Sequence, residues 1–242
     1  MEIPKGSLKE ISFHSNELSE ELQLLIYLPA NYSPLYKYSI LIAQDGLDYF
    51  QLGRIGRIAD EYLFNNEIEN LIIVGVPYKD VEERRKKYHP SGASNQKYIR
   101  FLAHELVPFL DGEYPTYQIG STRALIGDSL AATVSFMATL QYPNTFGKVI
   151  MQSPYVNHTI IQLAANFLKN LGLEIYHVVG TLETKVPMGN GGTSDFLTPN
   201  RELSKILATK PFTYFYEEFP GDHTWTYWQP DLRRAIKRAF QN

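Results

Sequence analysis

Cysteine is absent from the 242-residue chain. Without thiols the protein can form neither a disulfide nor a thiolate metal site. Long apolar runs are also absent, because no stretch approaches the length that spans a membrane. Residues 1–6, Met-Glu-Ile-Pro-Lys-Gly, lack the apolar core of a signal peptide. These absences predict a cytoplasmic protein without a membrane anchor.

A strong charge of either sign is lacking as well. The 23 basic and 26 acidic residues leave a net charge of −3, which gives no electrostatic reason to bind nucleic acid or an anionic membrane. Asn31 and Asn157 begin glycosylation sequences, which we interpret as chance matches in a chain without a secretion signal. We expect a single domain over residues 1–242 that acts on a small molecule; the composition also allows a homodimer.

Sequence motifs for cofactors and metals are missing. There is no Gly-x-Gly-x-x-Gly, and the glycine-rich segment 189–192 lacks both the strand-to-helix context and the Lys-Ser/Thr of a phosphate-binding loop. No His-Glu-x-x-His or clustered His/Asp set indicates a metal. The sequence therefore predicts neither a cofactor nor a metal ion.

The most informative stretch surrounds Ser129. An apolar run, residues 124–126, stops at Gly127, Ser129 follows two positions later, and the small residues Ala131 and Ala132 come next. This order predicts a strand, a sharp turn and a helix, with the Ser129 hydroxyl exposed above a sheet. The small residues allow strand and helix to pack closely. A serine that merely caps the helix would give the same local pattern.

Short apolar runs typical of buried strands alternate with segments of helical periodicity along almost the whole chain. This alternation predicts a mostly parallel central sheet with helices on both faces, preceded by an N-terminal antiparallel hairpin. In such α/β folds, functional residues collect at the carboxyl ends of the strands. Gly46, Ser129, Glu183 and His223 each follow a predicted strand. The densely charged segment 79–96 we expect to be a solvated loop. Strands are predicted at residues 8–13, 22–28, 39–43, 71–76, 122–126, 148–152, 175–179 and 212–219, and helices at 54–64, 99–109, 130–141, 160–171, 199–208 and 229–240.

A nucleophilic serine needs a base, and the base needs a carboxylate to hold its tautomer. His223 lies in a short turn between the last strand and the last helix, which suits a base that comes late in the chain. For the acid we prefer Glu183, three residues after Gly180. Two other residues stay open as candidates for the acid. They are Asp195, which could instead cap a helix, and Asp222, the neighbour of His223. The other histidines we interpret as structural or solvated, although His158 also follows a strand end; they are His14, His89, His104, His158 and His177.

Two backbone amides are predicted to stabilise an oxyanion. The N–H of Leu130 follows the nucleophile, and that of Leu47 lies in the loop after the first central strand. Aromatic residues near the strand ends suggest a cleft for an aromatic or acyl group, with ordinary core packing as the alternative. The candidates for substrate binding are Tyr49, Phe50, Tyr155, Trp225 and Trp228.

Six segments in order resemble the esterase D and enterochelin-esterase-like branch of the α/β-hydrolases, over about residues 22–240. The resemblance implies an α/β-hydrolase fold without a large lid domain, ester hydrolase activity, and the triad Ser129, His223 and Glu183, although many relatives carry aspartate as the acid. The segments are residues 44–50, 101–109, 127–131, 142–147, 152–154 and 221–225 with Trp228.

Arg84 matches an arginine of a loop that such esterases carry, which implies a place in substrate binding. The chain departs from the family pattern at two positions. Ala131 replaces the glycine after the nucleophile, and Lys87 stands where the family usually has an acidic residue shortly before Tyr-x-Pro. The second departure bears on substrate binding more than on catalysis.

The sequence thus predicts a serine esterase that cleaves a short acyl, siderophore-lactone or related ester through an acyl-enzyme. Two alternatives stay open. An acyltransferase would use the same triad, and a noncatalytic α/β-hydrolase-fold protein would only bind its ligand.

Overall fold

The computed structural model describes residues 2–169, 171–188 and 191–241. Within these ranges the strands, in chain order, are β1 (Ser7–Ser15), β2 (Glu20–Leu28), β3 (Ser39–Gln44), β4 (Leu71–Val76), β5 (Arg123–Asp128), β6 (Lys148–Gln152), β7 (Glu174–Gly180), β8 (Val186–Pro187), β9 (Thr193–Ser194) and β10 (Thr213–Phe219).

The helices of the same ranges alternate with the strands. They are α1 (Gly46–Gln51), α2 (Ile55–Phe64), α3 (Val81–Tyr88), α4 (Asn95–Arg100), α5 (Val107–Glu113), α6 (Ser129–Gln141), α7 (His158–Ala165), α8 (Leu197–Leu207) and α9 (Trp225–Phe240), with a π-helical turn at Phe101–Leu106 between α4 and α5 and a 3-10 turn at Gly120–Thr122. No described helix is both long and apolar enough to cross a membrane.

Eight strands form one sheet in the order β1-β2-β4-β3-β5-β6-β7-β10. The first three are antiparallel neighbours, and all the others pair in parallel. β8 and β9 form a separate antiparallel ribbon. The predicted α/β-hydrolase architecture, including the N-terminal antiparallel hairpin, is confirmed.

Burial explains why the central strands are so apolar. Every residue of β3, β4 and β5 is buried, because helices cover both faces of a parallel sheet. Ile40 and Ile42 of β3 pack into the core on one face, whereas Leu41 and Ala43 pack into the core on the other. Most of β1, an edge strand, is exposed.

The prediction of a solvated loop over residues 79–96 is wrong. The segment contains α3 and the beginning of α4, and the Asp80 side chain caps α3 by accepting a hydrogen bond from the Glu83 N–H at 2.8 Å. The charged sequence of α3 has no apolar stripe, so hydrophobic periodicity gave no signal. Lys87 is buried and forms ion pairs with Glu20 and Glu83, which fix α3 against the β-hairpin.

Three other segments differ from expectation in extent. The helix predicted at 229–240 begins earlier, at Trp225, and the one predicted at 160–171 ends at Ala165. The glycine-rich residues 189–192 and the two that follow predict a flexible loop over 189–194. Residues 189 and 190 lie outside the described ranges, whereas Thr193–Ser194 pairs with Val186–Pro187.

Candidate active site

Ser129 lies at the junction of β5 and α6, as the sequence predicts. Its backbone adopts φ of +53°, in the left-handed region that non-glycine residues rarely occupy. Gly127 explains how strand and helix approach so closely, because a Cβ there would lie 2.2 Å from the carbonyl carbon of Ala131. This strained turn projects the serine at the carboxyl edge of the sheet.

His223 and Glu183 lie together at the same edge. Nδ1 of His223 is 2.7 Å from Oε2 of Glu183, although 40 residues separate them. The Glu183 side chain is completely buried, and that of His223 is 15% exposed. A carboxylate can accept but not donate, so this contact places the proton on Nδ1 and leaves Nε2 free to accept a proton.

The aromatic rings of Phe196 and Trp228 fix the imidazole in place. Their centroids lie 4.4 Å and 4.8 Å from that of His223, with Trp228 meeting the ring edge-on. Both aromatic side chains are buried. The imidazole is therefore held between two rings and oriented by one carboxylate.

The carboxylate of Glu183 is held through its other oxygen. Oε1 accepts hydrogen bonds from the Gly180 N–H at 2.8 Å and from the Ser153 hydroxyl at 2.6 Å. The Trp228 indole N–H in turn donates to the Ser153 oxygen at 3.0 Å. The sequence motif at residues 152–154 includes Ser153 but gave it no role, because its link to Glu183 depends on the pairing of β6 with β7.

Both predicted oxyanion donors begin helices. Leu130 lies in the first turn of α6 and Leu47 in the first turn of α1, where backbone N–H groups have no partner within the helix. Asp45 and Asp128 occupy the N-cap positions of these helices, but neither side chain accepts a hydrogen bond from the first turn. These amides are thus free to face a substrate oxygen.

The predicted substrate-binding residues differ in exposure. Tyr49 is completely buried, and its hydroxyl donates to Oε1 of Gln152 at 3.1 Å. Its ring meets that of Trp225 edge-on, with 4.9 Å between the centroids, so it supports Trp225 from within the core. Trp228 is buried beneath His223. Phe50 packs partly buried against the core.

Tyr155 and Trp225 are half-buried and suit a contact with substrate better. The Tyr155 N–H donates to the Ser129 carbonyl at 3.2 Å, which places this residue beside the nucleophile. Its ring contacts Phe196 at 5.9 Å and His89 at 5.3 Å. His89, which the sequence suggested to be structural or solvated, thus belongs to the same row of rings.

Arg84 binds another protein group in this structure. Its guanidinium contacts both carboxylate oxygens of Asp45, and its side chain is 17% exposed. Asp128, next to the nucleophile, is also buried, and burial together with the charge of Asp45 raises its pKa to about 8. Sequence reasoning missed this group of charges because its members come from three separate segments.

The alternative acids and histidines have other partners. Asp195 accepts a hydrogen bond from the Thr198 N–H at 3.0 Å, which is the predicted capping role, and Asp222 accepts one from the Thr224 hydroxyl at 2.6 Å. His177 is buried between Tyr214 and Asn200. Among the described residues, no group of three or more His, Cys, Asp or Glu could hold a metal ion.

A family model described as "Putative esterase" matches residues 15–239. The chain belongs to this esterase family. The match includes Ser129, Glu183 and His223 and agrees with the resemblance that the sequence motifs indicated. Membership makes carboxylic ester hydrolysis the activity class of the chain.

Two proteins of Bacillus subtilis (strain 168) are similar in sequence. One, named "Uncharacterized protein YjcH", is 57% identical over 235 residues, which cover 97% of this chain and 98% of the relative. The other, "Uncharacterized protein YbbA", is 24% identical over 224 residues, covering 86% of this chain and 84% of the relative.

Solved structures share the fold. A ferulic acid esterase matches with a TM-score of 0.79 at 15% identity and 98% coverage of both chains. Enterochelin esterase from Shigella flexneri matches with a TM-score of 0.80 at 18% identity over 98% of this chain, which spans 58% of that longer protein. The BES protein from Bacillus cereus gives 0.76 at 16% identity, with 100% and 98% covered.

Proposed function

We propose that this chain hydrolyses small carboxylic esters through an acyl-enzyme on Ser129. The observation that carries the proposal is the 2.7 Å contact between His223 and a buried Glu183, at the sheet edge where Ser129 adopts its strained turn. The nucleophile Ser129, the orienting acid Glu183 and the base His223 follow one another along the chain in the order typical of α/β-hydrolases.

The reaction proceeds in two halves. His223 Nε2 takes the proton of Ser129 Oγ as that oxygen attacks the ester carbonyl, and the Leu47 and Leu130 N–H groups stabilise the resulting oxyanion. The carbon–oxygen bond to the alcohol breaks as His223 returns the proton to the leaving oxygen. Water then attacks the acyl-enzyme by the same path, which releases the acid and restores Ser129.

The surroundings favour a substrate with an apolar part. The side chain of Leu47, whose N–H is a proposed oxyanion donor, is exposed, as is that of Leu182 next to the proposed acid. The rings of Tyr155 and Trp225 are partly accessible. Two of the similar structures are named as a ferulic acid esterase and an enterochelin esterase. We therefore propose short acyl or aromatic esters as substrates. A cytoplasmic location and a homodimer stay predictions.

Labelling with a fluorophosphonate tests the nucleophile directly. The wild-type protein is expected to bind the probe covalently at Ser129, and Ser129→Ala should lose both labelling and hydrolysis of p-nitrophenyl butyrate. Loss of a triad serine lowers turnover by roughly six orders of magnitude. Ser204→Ala is the matched control, because the Ser204 hydroxyl donates to the Arg201 carbonyl within its own helix, α8.

Two results would overturn the assignment: labelling at another residue, or more than a few per cent of activity in Ser129→Ala. An added alcohol separates hydrolysis from acyl transfer. For a hydrolase, free acid remains the main product as the alcohol concentration rises, whereas an acyltransferase would yield the new ester.

A further inference from the structure

Two buried carboxyl groups end the adjacent strands β3 and β5 in the same register. Ala43 pairs with Ile126, and Asp45 and Asp128 each lie two residues further along. Each of them directly precedes a segment that carries one of the proposed oxyanion donors, Leu47 or Leu130. A negative charge on either group would therefore lie close to a proposed oxyanion donor and would repel the oxyanion.

Arg84 of α3 supplies the positive charge that faces them. Its Nε lies 2.9 Å and 2.8 Å from the two oxygens of Asp45, and its Nη2 lies 2.5 Å from Oδ2. Burial by itself lowers the pKa of Arg84, but the Asp45 carboxylate raises it well above its ordinary value, so the guanidinium stays charged. Its position over the rings of Tyr78 and Tyr88 fixes it further.

Both carboxylate oxygens of Asp45 accept hydrogen bonds from this guanidinium. Burial raises the pKa of Asp45, and the contact with Arg84 opposes that shift by favouring the carboxylate. A bidentate pair of this kind is neutral as a whole. It leaves no positive charge to balance a second buried carboxylate.

Asp128 is that second group. Its Oδ1 is buried without a hydrogen-bond partner among the described residues. Burial, then the charge of Asp45, raises its pKa, while Arg84 lowers it and Asp48 adds a smaller increase. Tyr49, which also faces it, is buried with a pKa well above its ordinary value and carries no charge. The surroundings thus favour the uncharged acid.

We propose that Asp45, Arg84 and Asp128 form a charge-balanced unit beneath the oxyanion hole, in which Asp128 is a neutral positioning residue that keeps a negative charge away from the oxyanion. This proposal rests on the proposed function for its effect on catalysis. An ionised Asp128 would repel the oxyanion, at a cost of roughly 10- to 100-fold in rate for two charges about 6–12 Å apart at an effective dielectric constant of about 20. Acylation should therefore slow as Asp128 loses its proton.

The pH dependence of kcat/KM tests the catalytic half. For the wild type, the ratio of kcat/KM at pH 9.5 to that at pH 7 is expected to fall to about a tenth or less. Asp128→Asn keeps the shape of the side chain but cannot ionise, so its own ratio should stay near one. Each protein is compared with itself, which removes any change in its rate at neutral pH, and the melting temperature at both pH values confirms that the fold persists.

Asp111→Asn is the matched control. Asp111 pairs with Arg123 at 2.5 Å at the beginning of β5, whereas Asp128 ends the same strand. This variant also loses one carboxylate, here from α5, whose partner Arg123 lies at the opposite end of β5 from Asp128. It should keep the wild-type ratio. Equal ratios for the wild type and Asp128→Asn would overturn the catalytic half of the proposal.

Difference infrared spectroscopy tests the charge state without any substrate. The wild type minus Asp128→Asn spectrum at pH 7 should contain the carbonyl stretch of a protonated carboxylic acid, which disappears as the pH rises past about 8. A carboxylate band at pH 7 instead would overturn the assignment of Asp128 as the neutral acid. A protein that shows the protonated band but never reacts with a fluorophosphonate would overturn the proposed function, and with it the catalytic half.

Discussion

Ser153 donates its hydroxyl hydrogen bond to Oε1 of Glu183 at 2.6 Å, the oxygen that His223 does not use. The two oxygens of the carboxylate thus have different tasks. One orients the His223 imidazole, while the other is fixed by Ser153 and the Gly180 N–H. The indole of Trp228 holds Ser153 in turn, so the last helix of the chain supports the acid as well as the base.

Ser153→Ala is therefore expected to lower kcat by roughly 10- to 100-fold, because a hydrogen bond to a buried carboxylate contributes about 1.5–3 kcal/mol. KM should change little, since Ser153 is buried and has no contact with solvent. Steady-state kinetics on p-nitrophenyl butyrate measure both constants. Ser204→Ala, which removes a hydroxyl that donates within its own helix, is the control. A Ser153→Ala enzyme with an unchanged kcat would show that Gly180 suffices to hold the acid.

Glu183→Gln is expected to lower kcat/KM by at least a hundredfold, because an amide can present its NH₂ group to His223 and so reverse the tautomer. Asp195→Asn should stay within about threefold of the wild type, because Asp195 is exposed and caps the beginning of α8. Comparing the two variants under the same conditions ranks the two candidate acids. The opposite ranking would transfer the acid to Asp195.

The close approach of β5 and α6 predicts a large effect for Gly127→Ala. The added methyl group would lie 2.2 to 2.5 Å from backbone atoms of Ala131 and Ala132, so the elbow must shift. We expect a loss of more than about 3 kcal/mol in the free energy of unfolding, by analogy with severe overpacking, together with loss of fluorophosphonate labelling.

Gly112→Ala is the matched control for that variant. Gly112 lies in α5, and a Cβ there would meet no atom within 4 Å. Alanine favours the helix by about 0.5–1 kcal/mol over glycine, so this variant should be as stable as the wild type or more stable. Urea unfolding of both variants measures the difference. Equal stabilities would mean that the elbow can relax around a methyl group.

Burial lowers the pKa of His177 to about 4. An unfolded histidine titrates near about 6.5, so between these two values the unfolded state binds more protons than the folded state. The free energy of unfolding should therefore fall as the pH is lowered from about 6.5 to about 4, by up to about 3 kcal/mol from this group.

His177→Gln is expected to reduce that slope, because glutamine does not titrate. Urea unfolding between pH 4 and pH 7 measures it, and His158→Gln, which replaces an exposed histidine, should keep the wild-type slope. Identical slopes in all three proteins would assign the acid sensitivity to the carboxylates instead.

Local sequence predicted the parts of the site that depend on one segment. The turn at Ser129 follows from a buried strand, a glycine and small residues in sequence, and Glu183 and His223 each follow a strand whose apolar character is plain. The alternation of strands and helices predicted the sheet for the same reason, since burial on two faces leaves a strong apolar signal.

Contacts between distant segments could not be predicted in this way. Asp45, Arg84 and Asp128 meet only because β3 and β5 are neighbours and α3 packs over their ends. A charged helix such as α3 has no apolar period, and its stability comes from the Asp80 cap and the buried Lys87 ion pairs. Tyr49 was predicted to contact substrate but is completely buried, because an aromatic residue near a strand end can equally well belong to the core.

The left-handed backbone of Ser129 also bears on how this protein would respond to selection for heat resistance. A non-glycine residue in that conformation costs about 1–2 kcal/mol, which a glycine would avoid. The same replacement removes the hydroxyl on which the proposed chemistry depends. A screen that rewards only survival at high temperature is thus expected to enrich inactive proteins with glycine at position 129, whereas one that also demands turnover has to find its gains elsewhere in the chain.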